Sequence, residues 1–180
     1  KFSPNGNLIA YFEAPPSLET GLYITNTSGT YKKLLKDSIF YDNGFTLDWS
    51  PDGSKIVYQN RISNGNETKI CIIDTSGSGY SVITDGWCPS WSPNGDKISF
   101  FVNVNQGVFD LFLMNPDGTG IINISNSISE YDNDAKWSPD GSKLMYSSHG
   151  FNNVPFTKIY DISSNTTQVI ANSFYGEIWK

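Results

Sequence analysis

Few side chains in this chain could do chemistry. His149 is the only histidine. In the run Ser147-Ser148-His149-Gly150 it could serve as a general base, and a solvated loop is its simplest setting. No Gly-x-Ser-x-Gly run is present to hold a serine on a nucleophile turn. Cys71 and Cys88 are too few for a disulfide framework or a zinc site. We expect them to be separate, mostly buried thiols. The carboxylates suggest more. Asp42, Asp85 and Asp132 precede segments that read as inner strands, with Asp48 and Asp134 close by. If their loops converge, oxygen ligands could hold a hard cation such as calcium, or a basic peptide. No loop carries the Asp-x-[Asp/Asn]-x-[Asp/Asn]-Gly pattern, and Asp and Asn also cap turns locally. No metal, cofactor or catalytic residue is therefore expected. The aromatic residues Trp87, Tyr131 and Tyr175 lie beside the same loops. They could stack on a glycan or simply cover the end of the core.

A repeat must position these residues. Trp-Ser-Pro-Asp-Gly-Ser-Lys-Ile-Val-Tyr runs from Trp49 to Tyr58, and close copies start at Phe2, Trp91 and Trp137. The period is about 45 residues, the length of one four-stranded propeller blade. In each copy a short strand ends at the aromatic anchor. A Ser-Pro-[Asp/Asn]-Gly turn follows, where Pro presets φ and Gly takes the left-handed conformation. Second strands are expected at Leu8–Tyr11, Ile56–Gln59, Ile98–Phe101 and Leu144–Tyr146. Third strands are expected at Leu22–Ile24, Lys69–Ile73, Leu111–Met114 and Ile159–Tyr160. Fourth strands are expected at Lys32–Leu35, Tyr80–Thr84, Ile121–Ser125 and Gln168–Ala171. No stretch has helical periodicity. The expected fold is all-β, a β-propeller of four-stranded antiparallel blades with four repeat units, residues 1–180 forming one array. The anchor tryptophans should pack between blades.

Composition agrees with a packed domain of this kind. Of the residues, 38% are hydrophobic and 14% aromatic, enough for a core. A net charge of −6, spread without long runs, argues against nucleic acid or an anionic membrane as partner. No run of apolar residues is long enough for a membrane-spanning helix, so membrane insertion is not expected.

The repeated Trp-Ser-Pro-[Asp/Asn]-Gly-x-Lys-[Ile/Leu]-x-[Tyr/Phe] run resembles the WD40-like β-propeller repeats of the TolB type. Trp49, Trp91 and Trp137 match the repeat Trp, with Phe2 in the equivalent place. Pro4, Pro51, Pro93 and Pro139 match the turn Pro, and Gly6, Gly53, Gly95 and Gly141 the turn Gly. The resemblance implies a non-enzymatic binding scaffold that presents its loops and channel mouth to a protein or peptide partner. The mouth would be lined by Asp42, Asp85, Trp87, Tyr131, Asp132, Asp134 and Tyr175. Two alternatives stand beside it: a substrate-gating module of a larger serine peptidase of prolyl-oligopeptidase type, and a glycan-binding propeller. The resemblance also implies an extracytoplasmic location, in the periplasm, at the surface or secreted. The chain opens inside one repeat and stops inside another, so it reads as part of a larger propeller. If four blades close instead, Glu177 to Trp179 would act as a clasp. An open array would expose blade faces and favour self-association.

Overall fold

The computed structural model describes residues 1–13, 20–40, 46–62, 67–105, 107–127, 130–150 and 155–171. Among these, every regular element is a strand: β1 (Leu8–Glu13), β2 (Thr20–Asn26), β3 (Lys32–Ile39), β4 (Leu47–Trp49), β5 (Lys55–Arg61), β6 (Thr68–Asp74), β7 (Ser81–Asp85), β8 (Trp87–Trp91), β9 (Ile98–Asn105), β10 (Val108–Met114), β11 (Ile122–Asn123), β12 (Tyr131–Trp137), β13 (Lys143–His149), β14 (Pro155–Asp161) and β15 (Thr166–Ala171). They form four sheets, ordered β1-β2-β3, β4-β5-β6-β7, β8-β9-β10-β11 and β12-β13-β14-β15. The pairings are antiparallel between neighbours in sequence, as in propeller blades. Two compact units divide the chain, Lys1–Trp91 and Ser92–Lys180. Among the described residues no helix is long and apolar enough to cross a membrane.

The turn after each inner strand is built by its own side chains. Asp52 Oδ1 accepts from Ser50 Oγ at 2.6 Å and from the Ser54 backbone N–H at 3.0 Å. Ser50 Oγ in turn accepts the Lys55 N–H at 2.9 Å, and Gly53 sits at φ +72°. Ser138, Asp140, Ser142 and Lys143 repeat the arrangement. Those hydroxyl and amide donors hold the Asp140 carboxyl down to about 2. A lysine from the turn then reaches across the sheet. Lys55 pairs with Asp74, Lys97 with Asn115 and Lys143 with Asp161, tying the start of the second strand to the end of the third.

Each unit has its own core. In Lys1–Trp91, the side chains Ala10, Leu22, Ile24, Leu35 and Ile39 of the first sheet pack against Trp49, Ile56, Tyr58, Cys71 and Ile73 of the second. In Ser92–Lys180, Phe101, Leu111 and Leu113 pack against Leu144, Tyr146 and Tyr160, with Trp137 half-buried beside them. Trp49 thus lies between sheets, as the repeat predicts, and its indole N–H donates to the Lys1 carbonyl at 3.0 Å.

Several local expectations need correction. Phe2 is 62% exposed, where Trp49 is 4%. Among the described residues its strand-like contact is a bridge to Ile9, so it does not do the work of the anchor tryptophans. Cys71 is buried, but Cys88 is exposed. At Cys88 the inner strand takes φ +51°, which breaks the alternation of the strand. The fourth strand of the third sheet shrinks to Ile122–Asn123. His149 closes β13 and pairs in register with Tyr131 and Pro155, so it is a half-buried strand residue and not a solvated loop residue. The proposed clasp at Glu177 to Trp179 lies outside the described residues.

Candidate functional site

The predicted mouth residues fall into separate settings. Asp42 and Tyr175 lie outside the described residues. In Lys1–Trp91, Asp85 ends β7 with its side chain 54% exposed and pairs with Lys69, which also holds Glu67 at 2.8 Å. The two carboxylates raise the Lys69 ammonium above its ordinary value. Trp87 opens β8 and is half-buried. Asp48, the nearby carboxylate, is 7% exposed. Its Oδ1 takes the Lys1 ammonium at 2.6 Å, and its Oδ2 takes the Ser90 hydroxyl at 2.9 Å and the Trp91 N–H at 3.0 Å. These bonds make Asp48 a clamp between inner strands, with its oxygens already engaged.

In Ser92–Lys180, Tyr131, Asp132 and Asp134 share one strand. The sequence places the first two in the preceding loop. They belong to β12 instead, because Tyr131, Asp132 and Asn133 pair with His149, Ser148 and Ser147. The ladder slips after Asn133, and Asp134 takes φ +52° at the bulge. Alternation then separates their roles. Tyr131 is 41% exposed, its ring edge-on to Phe109 at 5.1 Å. Asp134 points to solvent and meets Lys136 at 3.5 Å. Asp132 is 1% exposed, and among the described residues neither of its oxygens makes a well-formed hydrogen bond.

Around Asp132 lies a polar cluster that the sequence reading missed. Asp110 is 2% exposed; it accepts from Asn123 Nδ2 at 2.6 Å and the Ser127 N–H at 3.3 Å. Glu130 accepts the Ser148 hydroxyl at 2.9 Å and pairs with Lys158. Burial works to raise the Glu130 carboxyl, but Lys158 and Ser148 outweigh it and hold it below the usual range. For Asp132 the balance is reversed. Burial pushes its carboxyl up and Asp110 adds to the push; Ser125, Ser148 and Lys158 oppose it without reversing it. The signal was present at Lys158. It pairs with Tyr146 as Tyr23 pairs with Tyr11 and Cys71 with Tyr58. A lysine where the other copies carry an aromatic ring or a thiol marks a buried ionic cluster. Among the described residues, no group of three or more His, Cys, Asp or Glu side chains could hold a metal ion.

These sheets and turns match known proteins. The family model described as the TolB beta propeller domain matches residues 44–180. The chain belongs to the TolB β-propeller domain family. A dipeptidyl-peptidase 5 from Porphyromonas endodontalis is 31% identical over 114 residues, which is 57% of this chain and 16% of that protein. The Tol-Pal system protein TolB of Francisella tularensis subsp. tularensis is 26% identical over 109 residues, 59% of this chain and 25% of that protein. The chain thus matches a quarter or less of the length of these curated relatives. The crystal structure of TolB from Acinetobacter baumannii superposes with a TM-score of 0.73 at 17% identity, over 94% of this chain and 42% of that one. At that identity the likeness concerns the fold.

Proposed function

We propose that this TolB-type domain is a non-catalytic binding scaffold whose sheets serve as blades of one propeller array, with the inner strands facing a protein or peptide partner. The observation that carries the reading is the solvent-facing row on β12. Tyr131 presents an aromatic ring braced edge-on by Phe109, and the exposed Asp134 and Lys136 follow on the same strand. A rigid, half-exposed tyrosine beside opposite charges is recognition chemistry, since tyrosine contributes large contact area at low entropic cost. An extracytoplasmic setting goes with this reading.

The test is a titration of labelled peptides of mixed charge against the chain and its Tyr131→Ala variant. Saturable binding that weakens roughly tenfold in the variant is expected. Cleavage of the peptides by the isolated chain, or no saturable binding by any of them, would overturn it. A second reading, the substrate-gating module of a larger serine peptidase, is favoured by the stretch shared with the dipeptidyl-peptidase 5. It predicts binding that requires a free peptide terminus, whereas a protein scaffold accepts internal segments equally well.

A further inference from the structure

Three carboxylates and one ammonium gather inside the unit Ser92–Lys180. Lys158 is paired with Glu130. Asp110 is met by the Asn123 amide and the Ser127 N–H. Asp132 is buried with them, but the Ser148 hydroxyl near it donates to Glu130, and Lys158 is committed there too. The repeat shows that this arrangement is particular to the fourth sheet. Five residues before the anchors Trp49 and Trp91 stand Gly44 and Gly86; five before Trp137 stands Asp132. Lys158 likewise takes the position of Tyr23, Cys71 and Phe112 in the other sheets. A glycine position has gained a carboxylate, and an uncharged one an ammonium.

The strand that carries Asp132 has a hinge. Among the described residues β12 is bonded to β13 on one edge and to no strand on the other. Its first half is held by the pairs of Tyr131, Asp132 and Asn133 with His149, Ser148 and Ser147. The ladder then slips, and Asp134 takes φ +52° before pairing resumes at Lys136. A bulge interrupts the ladder and bends the strand, so the first half can open while the second stays paired. The ionisable groups around Asp132 come from several elements. Asp110 comes from β10, Glu130 from the residue before β12, Tyr146 and His149 from β13, and Lys158 from β14; β9 carries none. Burial raises the Tyr146 phenol and keeps it neutral. His149 stands opposite Tyr131, one pair away from Asp132. On β12 itself, Asp134 and Lys136 face solvent and each other. Ionised in place, Asp132 is a buried anion near Asp110 with no cation of its own. Such a group keeps its proton or is carried to water.

We propose that Asp132 is a proton-operated latch on the first half of β12. With its proton it keeps that half closed on β13, where Tyr131 is braced by Phe109. On ionising it draws the half outward about the bulge at Asp134, and Tyr131 leaves its brace. The closed form holds the extra proton, so rising pH favours the open form. The consequence for a ligand rests on the scaffold reading above. A peptide that needs the braced Tyr131 binds the closed form, and its apparent affinity falls with the closed fraction. By reciprocity, that peptide takes up a proton as it binds to the ionised chain. The latch itself is a property of β12 and the cluster, and is read without any peptide.

The experiment is amide hydrogen exchange of the 180-residue chain, read by mass spectrometry over β12 (Tyr131–Trp137). Wild type and Asp132→Asn are compared side by side at about pH 4 and about pH 8. Comparison at one pH removes the intrinsic pH dependence of exchange. Equal protection is expected in acid. In base, β12 of the wild type should be protected about tenfold less than in the variant, with β9 unchanged. His149→Gln should lose protection as the wild type does, which sets aside the histidine across the ladder. The labelled peptides are then titrated at the same two values. Binding about tenfold weaker in base is expected for the wild type, and equal binding at both for Asp132→Asn. Equal protection of wild type and Asp132→Asn in base overturns the latch, whether or not a peptide binds. So does a loss shared equally by β9, which is global opening, or a loss that His149→Gln abolishes. Peptide affinity that ignores pH while β12 opens overturns the control of the peptide site. A latch seen by exchange in a chain that binds no peptide at either pH removes the scaffold reading and leaves the latch.

Discussion

Asp48 Oδ2 accepts the backbone N–H of Trp91 at 3.0 Å, so a carboxylate on one inner strand caps a main-chain donor on the next. The same oxygen takes the Ser90 hydroxyl, and the other takes Lys1. Asp48 lies one residue before an anchor tryptophan, at the same repeat position as Ser90 and Lys136. Only the second copy has the acid, which makes the clamp specific to this pair of strands.

Asp48→Ala should therefore destabilise the fold by about 2–3 kcal/mol, the cost of leaving a buried N–H unmet and removing charge-assisted bonds. Lys1→Ala should cost under about 1 kcal/mol, because its ammonium is half exposed and screened. Urea unfolding measures both. Equal losses for the two variants would show that the Trp91 bond carries nothing.

Asp132 should make stability fall as pH rises. Its carboxyl is raised above the ordinary 3.8 by burial, so the folded chain keeps a proton that the unfolded chain has already released. Stability from this group is fully present below the unfolded value and is lost as pH climbs through the raised folded value. Asp132→Asn removes the ionisation. Its thermal midpoint should exceed the wild type at neutral pH and converge with it in acid. Parallel profiles for the two proteins would refute the assignment. The groups facing Asp132 set the size of the effect: Asp110 opposes ionisation, while Lys158, Ser125 and Ser148 favour it.

Most of the architecture was legible because the turn chemistry is local. Ser, Pro, Asp or Asn, and Gly act within one turn: the hydrogen bonds of Asp52 and Asp140 reach two residues away, and those that Ser50 and Ser138 accept reach five. Strand positions follow once those turns are placed. What escaped depends on neighbours distant in sequence. Phe2 has the right residue type but lacks the packing of Trp49. Tyr131 and Asp132 look like loop residues beside polar neighbours, yet pairing with His149 and Ser148 makes them strand. The cluster of Asp110, Glu130 and Lys158 joins β10, β14 and the segment before β12, and only Lys158, at an otherwise apolar or thiol repeat position, hinted at it.

Two turn glycines should respond differently to alanine. Gly53 and Gly141 both have φ near +71°, which costs a residue with a Cβ about 1–2 kcal/mol. Around Gly53 the nearest atom to an added Cβ is Pro4 Cδ at 3.9 Å, an ordinary contact. At Gly141 the Asn94 amide stands 3.1 Å away and must shift. Gly141→Ala is expected to lower the thermal midpoint more than Gly53→Ala. Replacing Asn94 by Gly in the Gly141→Ala background should bring the two losses together. A larger loss at Gly53 would rule out the crowding.

The two thiols should separate cleanly under a disulfide reagent. Cys71 is 0% exposed, and burial pushes its thiol up to about 11, with the Tyr80 hydroxyl and Lys36 only partly opposing the shift. Both the low thiolate fraction and the lack of access slow its attack. Cys88 is exposed on β8, at φ +51°; partial desolvation raises its thiol too, so access, not acidity, separates it from Cys71. Native protein should release one equivalent of chromophore promptly, and Cys88→Ser should abolish that phase. Cys71 should react only at the rate of unfolding, so its phase should quicken with denaturant. A prompt phase that persists in Cys88→Ser would place the buried thiol in reach of solvent and contradict the core of the second sheet.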